Sequence, residues 1–358
     1  MKLDLINKLV FYYLKIFSKK QHNSIDIDNV KNICILSNTA IGDTLFSTPA
    51  IRLLRQKYPQ KKIITVLNPK NSELFINNTN IDLIYTYNSK WSHFFSIVKK
   101  LRREKIDLTF IFHSNEPQAT PLAFFIKSKY IVKIPNINNK FNFLHTNNVS
   151  SKNPGEHFID YRLRQLELIG IFKKNYKMDL FIEESEAVKV SKKIDLSGRY
   201  IGFQVGASSP SRLWNNKSWV LLAKKILDYN PSLKIIITGS SRDKELSNQI
   251  VEKINSERVI DTCGWFDLCS SSYLISKLEA LITLDTGPLH IAASLNIPTV
   301  CLSVAGKKNE SNPRSSSVNH LFIEKPETCN PCIDKKCKNA FCMNQITVEE
   351  VFSKYLKL

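Results

Sequence analysis

Short apolar blocks alternate with segments of helical periodicity along most of this chain. In the first half the predicted strands are 33–36, 62–67, 81–86 and 108–112, and the predicted helices are 44–57, 70–77, 91–103 and 156–169. The strand blocks are continuous apolar runs, which are typical of strands buried on both faces of a sheet. Strands and helices in this order predict a parallel sheet that is covered by helices on both sides.

The same alternation begins again near residue 200, after a charged and poorly apolar segment at 183–198. The predicted strands there are 200–204, 234–238, 259–260, 281–284 and 299–303, and the predicted helices are 217–228, 242–254 and 271–280. We therefore predict an α/β protein with two Rossmann-like parallel-sheet domains, at 29–185 and 186–358, that face each other across a cleft. The chain contains no GxGxxG sequence, which argues against a dinucleotide-dependent dehydrogenase.

Residues 1–28 are predicted to form an amphipathic helix followed by a polar connector. Apolar side chains recur at helical spacing between Leu5 and Phe17, with lysines among and after them. Asn7, Lys8 and Lys15 interrupt the apolar run, so it is too short to span a bilayer, and no small-residue cleavage site marks it as a secretory signal. Such a helix either lies on an anionic membrane surface or docks on the core of its own protein.

The charge of the chain favours a polyanionic partner. Among 358 residues, 51 lysines and arginines exceed 32 acids and leave a net charge of +19. Such an excess is typical of proteins that meet nucleic acid, anionic lipid, a phosphorylated glycan or a nucleotide. The lysines are scattered, and no zinc-finger, RNP or helix-turn-helix signature accompanies them, so we do not expect nucleic acid as the partner.

Two loops that follow predicted strands carry candidate chemistry. Gly42 and Asp43 follow the first strand and begin a helix, where a carboxylate commonly caps the helix but can also act as a general base. Asp285, Thr286 and Gly287 follow the strand at 281–284. A helix that begins there directs free N–H groups at an anion, although an ordinary corner with an N-cap fits the same pattern.

Two further strand ends in the second half carry small and polar residues. The loop after 200–204 contains Ser208, Ser209 and Arg212, which suit a diphosphate, or else form a solvent loop above Trp214. The strand at 234–238 ends at Gly239, and Asp243 follows as a ribose-hydroxyl acceptor or as a helix N-cap.

These motifs, taken in order, resemble glycosyltransferase family 9, the bacterial heptosyltransferases that build the inner core of lipopolysaccharide from ADP-heptose. The matching pieces are Ile41-Gly42-Asp43, 47–50, Gly206-Ala207-Ser208 with Arg212 and Trp214, Thr238-Gly239-Ser240, Gly264, and the run Asp285-Thr286-Gly287-Pro288-x-His290-x-Ala292-Ala293. The resemblance covers about 32–352. It implies the GT-B fold and an inverting transfer that requires no metal or other cofactor.

The resemblance also implies roles for individual residues. Asp43 takes the position of the general base, with Gly42 and Thr44 beside it on the acceptor side. Arg212 takes the position of a basic residue on the diphosphate, Thr286 and Gly287 cradle the phosphates, and Asp285 and Asp243 lie near the donor sugar and the ribose. His290 either braces that loop or is simply packed. The implied partners are ADP-heptose and an anionic lipid A–core acceptor, and the implied location is the cytoplasmic surface of the inner membrane.

Two features lie outside this pattern. Family members often carry lysine or arginine six positions before the base, where this chain has Ser37, which leaves the acceptor open. Arg102, Arg103 and Lys127 are basic side chains that are candidates to replace the cation missing at position 37. The only Asp-x-Asp sequence, 26–28, precedes the first strand and reads as a solvated connector, so no catalytic Mg²⁺ is expected.

Four cysteines are concentrated near the end of the chain. Cys329, Cys332, Cys337 and Cys342 resemble a structural zinc site or, less closely, an iron–sulfur site. Unbonded thiols and disulfides are the alternatives, although a reducing cytosol disfavours disulfides. Sugar transfer needs no thiol, so we do not expect a catalytic cysteine.

Overall fold

The structure is a computed structural model that describes residues 2–18, 24–136, 138–146, 149–304, 308–314, 317–326, 328–329, 337 and 341–358. The chain divides into two compact units, Met1–Asp179 and Leu180–Leu358, so this division lies a few residues before the predicted one at 185/186. Each unit contains one parallel sheet with helices packed against it.

The first unit is built on a five-stranded sheet of order β3-β2-β1-β4-β5. Its strands are β1 Asn32–Ser37, β2 Lys62–Leu67, β3 Leu83–Thr86, β4 Leu108–His113 and β5 Tyr130–Val132. Its helices are α1 Lys2–Phe17, α2 Ile41–Leu45, α3 Thr48–Lys57, α4 Phe94–Arg102, α5 Ala119–Phe125 and α6 Phe158–Leu166. Short 3₁₀ turns occupy Ser72–Phe75, Trp91–His93, Asn142–Leu144 and Glu167–Ile169.

The second unit is built on a six-stranded sheet of order β11-β10-β9-β6-β7-β8. Its strands are β6 Arg199–Gln204, β7 Leu233–Thr238, β8 Val259–Asp261, β9 Ala280–Leu284, β10 Thr299–Val304 and β11 His320–Lys325. Its helices are α7 Ser185–Ser191, α8 Asn216–Tyr229, α9 Lys244–Ile254, α10 Leu268–Ser276, α11 Gly287–Ser294, α12 Lys308–Ser311 and α13 Val348–Tyr355. Short 3₁₀ turns occupy Pro210–Arg212, Ser241–Asp243 and Met343–Gln345.

The strand order reverses once in each sheet, and both reversals lie beside the first strand of the unit. In the first sheet the chain moves outward through β1, β2 and β3 and then returns to place β4 on the other side of β1. In the second sheet β9 returns in the same way to the free side of β6. Loops diverge at such a reversal, which opens a crevice at the carboxyl ends of the two strands. The loop with Asp43 and the loop with Asp285 both lie at these crevices.

The predicted alternation of strands and helices is confirmed, with local differences. The predicted helix 44–57 is two helices, α2 and α3, that are separated at Phe46 and Ser47. Pro49 explains the break, because proline lacks the N–H that a continuous helix needs there and suits the first turn of a new helix instead. The predicted helix 70–77 is only a 3₁₀ turn, and β5, at three residues, is too short to give a periodic signal.

The predicted N-terminal helix is confirmed as α1, and it docks on the core of the first unit. Leu14 is fully buried beside Phe141 and Leu144, and Val10 and Phe11 pack around them. Asn7 accepts a hydrogen bond from Nε1 of Trp91 at 2.9 Å. The side of α1 away from this contact is exposed. Within the described part of the chain, we find no helix whose length and apolar character would suit it to crossing a bilayer.

Candidate active site

Asp43 lies in the first unit, in the first turn of α2 at the crevice between β1 and β4. Its side chain is 20% exposed, so the carboxylate is accessible but held by neighbours. The hydroxyl of Thr39 donates to Oδ2 of Asp43 at 3.0 Å. Thr39 lies in the loop between β1 and α2, so the first hydrogen-bond donor to the acid comes from the loop that leads into its helix.

His113 extends this network from the neighbouring strand. It is the last residue of β4, and its Nδ1 lies 2.6 Å from Oγ1 of Thr39 and 3.5 Å from Oδ2 of Asp43. An ionised carboxylate only accepts hydrogen bonds, so Thr39 directs its single proton to Asp43. Nδ1 of His113 then carries the proton that it shares with Thr39. The result is a hydrogen-bond chain from His113 through Thr39 to Asp43.

The imidazole of His113 is neutral at physiological pH. Desolvation, together with the smaller effects of the positive charges of Arg162 and Lys133, lowers the pKa of His113 to about 4 against the opposing effect of Asp43. The side chain is nevertheless 38% exposed, so part of it faces solvent. His113 therefore acts in this network as a neutral hydrogen-bond donor rather than as a cation.

Arg162 supplies the positive charge behind Asp43. It belongs to α6 and is completely buried, and burial lowers its pKa to about 10, which still leaves it protonated at neutral pH. One terminal nitrogen donates to the backbone carbonyl of Asp43 at 3.0 Å and lies 3.8 Å from Oδ1 of the same residue. The other donates to the carbonyl of Phe158 at 2.6 Å. A buried guanidinium therefore holds the backbone of the candidate base in place and lies close to its carboxylate.

Ser37 lies next to this guanidinium. Its hydroxyl lies 2.9 Å from that of Ser47, and Ser47 accepts from Nε of Arg162 at 2.9 Å. Ser37, Ser47 and Arg162 are all buried, so this cation is not accessible to an acceptor. The alternative cations Arg102, Arg103 and Lys127 precede β4 and β5, toward the amino edge of the sheet, and therefore do not replace a cation at position 37.

The other two acceptor-side candidates are part of the backbone framework. Gly42 and Thr44 are buried in α2, and Thr44 donates its hydroxyl to the carbonyls of Ser37 and Ala40 at 3.1 and 3.2 Å. These bonds tie α2 to the end of β1. Both residues shape the loop around Asp43 rather than present a polar group from it.

Arg212 and Asp285 meet in the second unit, at the crevice between β6 and β9. A terminal nitrogen of Arg212 donates to the carbonyl of Asp285 at 3.1 Å. Thr286 then takes the N-cap position of α11 in extended conformation, with its hydroxyl directed to the carbonyl of Leu284 at 3.3 Å rather than to the helix. Gly287 and Pro288 form the first turn. A helix N-terminus with an arginine beside it is suited to an anionic group.

Asp243 has a structural role at the end of β7. Its Oδ2 accepts from the backbone N–H and the hydroxyl of Ser240, both at 2.8 Å, in a capping box. A Cβ on Gly206 would lie 2.1 Å from Oδ1 of Asp243, so glycine at 206 leaves the room that this carboxylate needs. A Cβ on Gly239 would lie 2.9 Å from Sγ of Cys263 and 3.1 Å from Cβ of Asp243. Small residues at two strand ends therefore allow the loops to pack closely.

The remaining candidates of the second unit lie in the same loops. Ser208 is exposed after β6, whereas Ser209 is buried with its hydroxyl 2.8 Å from that of Ser211. His290 is buried in α11, and its carbonyl accepts from the hydroxyl of Ser294 at 2.7 Å. Desolvation lowers the pKa of the nearby His320 to about 4, and its electrostatic interaction with His290 acts in the same direction.

The cysteine segment is only partly described. Cys332 lies outside the described residues. Of the others, Cys329 is exposed, and Sγ of Cys342 accepts from the backbone N–H of Thr328 at 3.3 Å. Among the residues that the structure describes, no three potential ligands from histidine, cysteine, aspartate or glutamate come together as a metal site. A zinc ion on the four cysteines stays a prediction.

Two residues of the candidate site, His113 and Arg162, were not identified from the sequence. His113 ends a strand that was predicted to stop at Phe112, and a polar residue at the end of a strand beside β1 is a signal that was available. Arg162 gave no such signal, because an arginine on a periodic helix normally faces solvent.

A comparison with known proteins identifies the family. Residues 94–342, well over half of the chain, match the model of the family described as glycosyltransferase family 9 (heptosyltransferase). The chain belongs to glycosyltransferase family 9. The resemblance expected from the motifs is thus confirmed, and this member of the family is a glycosyltransferase.

Relatives of this glycosyltransferase match almost along their whole length. The chain is 24% identical over 343 residues to lipopolysaccharide core heptosyltransferase OpsX of Haemophilus influenzae, with 92% of this chain and 97% of the relative covered. It is 26% identical over 328 residues to lipooligosaccharide heptosyltransferase 2 of Campylobacter jejuni, with 87% and 93% covered.

Solved structures of the family share the fold of this glycosyltransferase. The family 9 glycosyl transferase of Veillonella parvula matches with a TM-score of 0.80 at 21% identity, over 94% of this chain and 98% of that chain. The ADP-heptose lipopolysaccharide heptosyltransferase II of Escherichia coli matches with a TM-score of 0.73 at 18% identity, over 91% and 98%. The predicted class, the GT-B fold of two Rossmann-like parallel-sheet domains, is confirmed.

Proposed function

We propose that this glycosyltransferase moves heptose from ADP-heptose to an inner-core acceptor of lipopolysaccharide by an inverting mechanism that needs no metal ion. The observation that carries the proposal is the environment of Asp43. Its carboxylate is partly exposed, while a buried arginine and a Thr39–His113 hydrogen-bond chain fix its position. A base must be held within reach of the proton that it removes, and such a framework meets this requirement.

The proposed reaction is a single displacement. The hydroxyl oxygen of the acceptor attacks the anomeric carbon of the donor, and its proton passes to the carboxylate of Asp43. The bond from the anomeric carbon to the diphosphate breaks, and the leaving group departs as nucleoside diphosphate. Arg212 and the N-terminus of α11, with Thr286 and Gly287, would stabilise the charge that develops on that group. His113 would keep Thr39 directed at Asp43.

Two arguments support a transfer without metal. A guanidinium and a helix N-terminus already offer positive charge to a diphosphate at the second crevice. The Asp-x-Asp sequence, a pattern suited to a cation, precedes β1 and lies at the amino edge of the sheet, opposite the crevices. There Asp26 accepts from Nδ2 of Asn29 at 2.7 Å in an exposed turn. That carboxylate is therefore remote from the carboxyl edge where ligands bind.

The heptose and its acceptor are proposed from the relatives. Two of them, from Haemophilus influenzae and Campylobacter jejuni, are heptosyltransferases of lipopolysaccharide core and of lipooligosaccharide, and both align over nearly their full length. The buried Ser37 favours a second candidate, transfer to a different core, capsule or O-unit glycan, because position 37 offers no cation to a phosphorylated acceptor.

Calorimetric titration with ADP, UDP and GDP in the presence of EDTA tests the donor half of this proposal. We expect selective binding of ADP without metal. A preference for UDP or GDP would retain the enzyme class and replace the donor. A lack of binding to all three nucleotides would contradict the proposed donor site and favour a member that binds glycan or lipid without transferring a sugar.

A further inference from the structure

The exposed side of α1 carries an apolar surface opposite the side that docks. Leu5, Leu9, Tyr12 and Ile16 follow one another at spacings of four, three and four residues, so they line one face of the helix. Leu9 is 61% exposed and Ile16 is 72% exposed. The docked side consists of Asn7, Val10, Phe11 and Leu14, at positions between these. Because the docked side is already fixed, the apolar face cannot turn inward to be covered by the same unit.

Phe125 joins this face to α4. Its ring stacks on that of Tyr13 of α1, with centroids 5.7 Å apart, and meets the ring of Phe95 of α4 edge-on at 6.4 Å. Phe95 is itself 70% exposed. Nε of Arg102, at the end of α4, donates to the backbone carbonyl of Phe125 at 2.7 Å. The apolar surface of α1 therefore continues into a second helix that ends in cations.

Lysines and arginines outnumber acids in the segments that carry the apolar surface. The segments 2–17, 94–103 and 119–129 contain nine lysines and arginines and a single acid, Asp4. Lys99 and Arg102 follow Phe95 at helical spacing, so the three lie on one side of α4. Exposed aromatic and aliphatic side chains within a basic rim match the interface of an anionic bilayer, where each nearby cation strengthens binding by about fivefold.

We propose that α1 and α4 form a docking surface for an anionic lipid bilayer, with Leu9, Ile16 and Phe95 inserted among the lipid head groups. A second copy of the chain is a poorer occupant, because a twofold contact through this surface would bring its cations against one another. The inference deepens the proposed function, since a lipid-linked acceptor reaches the enzyme from a bilayer.

Sedimentation with vesicles tests the surface directly. We expect the full-length protein to bind vesicles of phosphatidylcholine and phosphatidylglycerol and to bind pure phosphatidylcholine more weakly. Leu9→Asp combined with Ile16→Asp should weaken binding to the anionic vesicles by at least about tenfold. Phe172→Asp combined with Val188→Asp is the matched control, because those side chains are 73% and 57% exposed and lie outside the surface. The control should bind like the unmodified protein.

A second pair of variants tests how much the positive charge of α4 contributes to vesicle binding. Lys99→Glu combined with Lys100→Glu should weaken binding to anionic vesicles, and Lys217→Glu combined with Lys224→Glu, on exposed positions of α8, should have less effect. Undiminished binding of the α1 variant would overturn the proposal. The proposal would also be overturned if the unmodified protein did not bind vesicles but formed a dimer in sedimentation velocity, and if the α1 variant abolished that dimer.

Transfer to a deacylated acceptor in free solution separates this inference from the proposed function. If the α1 variant loses vesicle binding but keeps that transfer, the surface serves lipid alone, as proposed. If the unmodified protein binds vesicles but transfers no heptose to any inner-core acceptor, the proposed function fails and the surface stands.

Discussion

At the crevice of the first sheet, the carboxylate of Asp43 is held by several neighbouring groups. At the crevice of the second sheet, Arg212 makes one contact to the loop with Asp285, beside the N-terminus of α11. The two units reach these crevices by the same route, since β4 returns beside β1 as β9 returns beside β6. The side chains differ. Thr39 and Arg162 both donate hydrogen bonds to Asp43, whereas Arg212 donates one hydrogen bond to the carbonyl of Asp285.

The difference indicates a division of labour between the crevices. A guanidinium has five N–H donors, so Arg212 can hold the loop that carries Asp285 and still donate to an anion. Arg162 has the same donors, but it is buried and directs them to protein atoms around Asp43. One arginine thus positions a base and the other is available to a ligand. The first two predictions below separate these two roles by variants that each affect only one crevice.

The largest effect is expected for Asp43→Asn. The amide keeps the shape of the carboxylate but cannot accept a proton, so the turnover of acceptor should fall by about 10²–10⁴-fold. The affinity for nucleotide, measured by calorimetry, should stay unchanged because the second crevice is intact. Asp28→Asn, on the exposed connector before β1, is the control and should leave both quantities unchanged. A parallel loss of turnover and nucleotide affinity would make Asp43 a structural residue instead.

The network around Asp43 also marks the limit of what the sequence predicts. Gly42 and Asp43 were identifiable because a buried strand ends just before them, and the motif near Asp285 for the same reason. The contribution of Arg162 was not identifiable, because it depends on α6 packing beside α3 and burying two polar residues, Arg162 and Gln165, of an otherwise ordinary amphipathic helix. His113 lies between these cases, since the strand order that brings β4 beside β1 turns a single polar residue into a neighbour of the base.

Arg212→Ala is expected to have an intermediate effect at the other crevice. Loss of hydrogen bonds from a charged group to a diphosphate should weaken nucleotide binding by about 10–100-fold. Arg199→Ala is a matched control from the amino end of β6, the strand that precedes the loop with Arg212, where Arg199 pairs with Glu279 on the surface. Calorimetry with ADP compares the two variants. An unchanged affinity in Arg212→Ala would show that Arg212 does not bind the diphosphate. The N-terminus of α11 would then be the only group proposed for the phosphate site.

The smallest effect concerns acid stability, to which His145 in the first unit and His320 in the second contribute. Burial lowers the pKa of His145 to about 3 in the first unit and that of His320 to about 4 in the second. The unfolded chain binds a proton at each histidine below about pH 6.5, whereas the folded chain does not. Stability is therefore complete above that value and falls, by at most about 1.4 kcal/mol per pH unit and histidine, as the pH drops toward the folded pKa.

Two variants that keep the local hydrogen bonds test which unit is more sensitive to acid. His145→Gln preserves a partner for Thr120, whose hydroxyl lies 3.1 Å from Nε2, and His320→Asn preserves one for Thr299, whose hydroxyl lies 3.0 Å from Nδ1. Urea unfolding between about pH 7 and pH 5 should give a shallower pH slope for each variant than for the unmodified protein. His93→Asn, at an exposed position, should keep the original slope. Equal slopes in all four proteins would mean that His145 and His320 are not the source of acid lability.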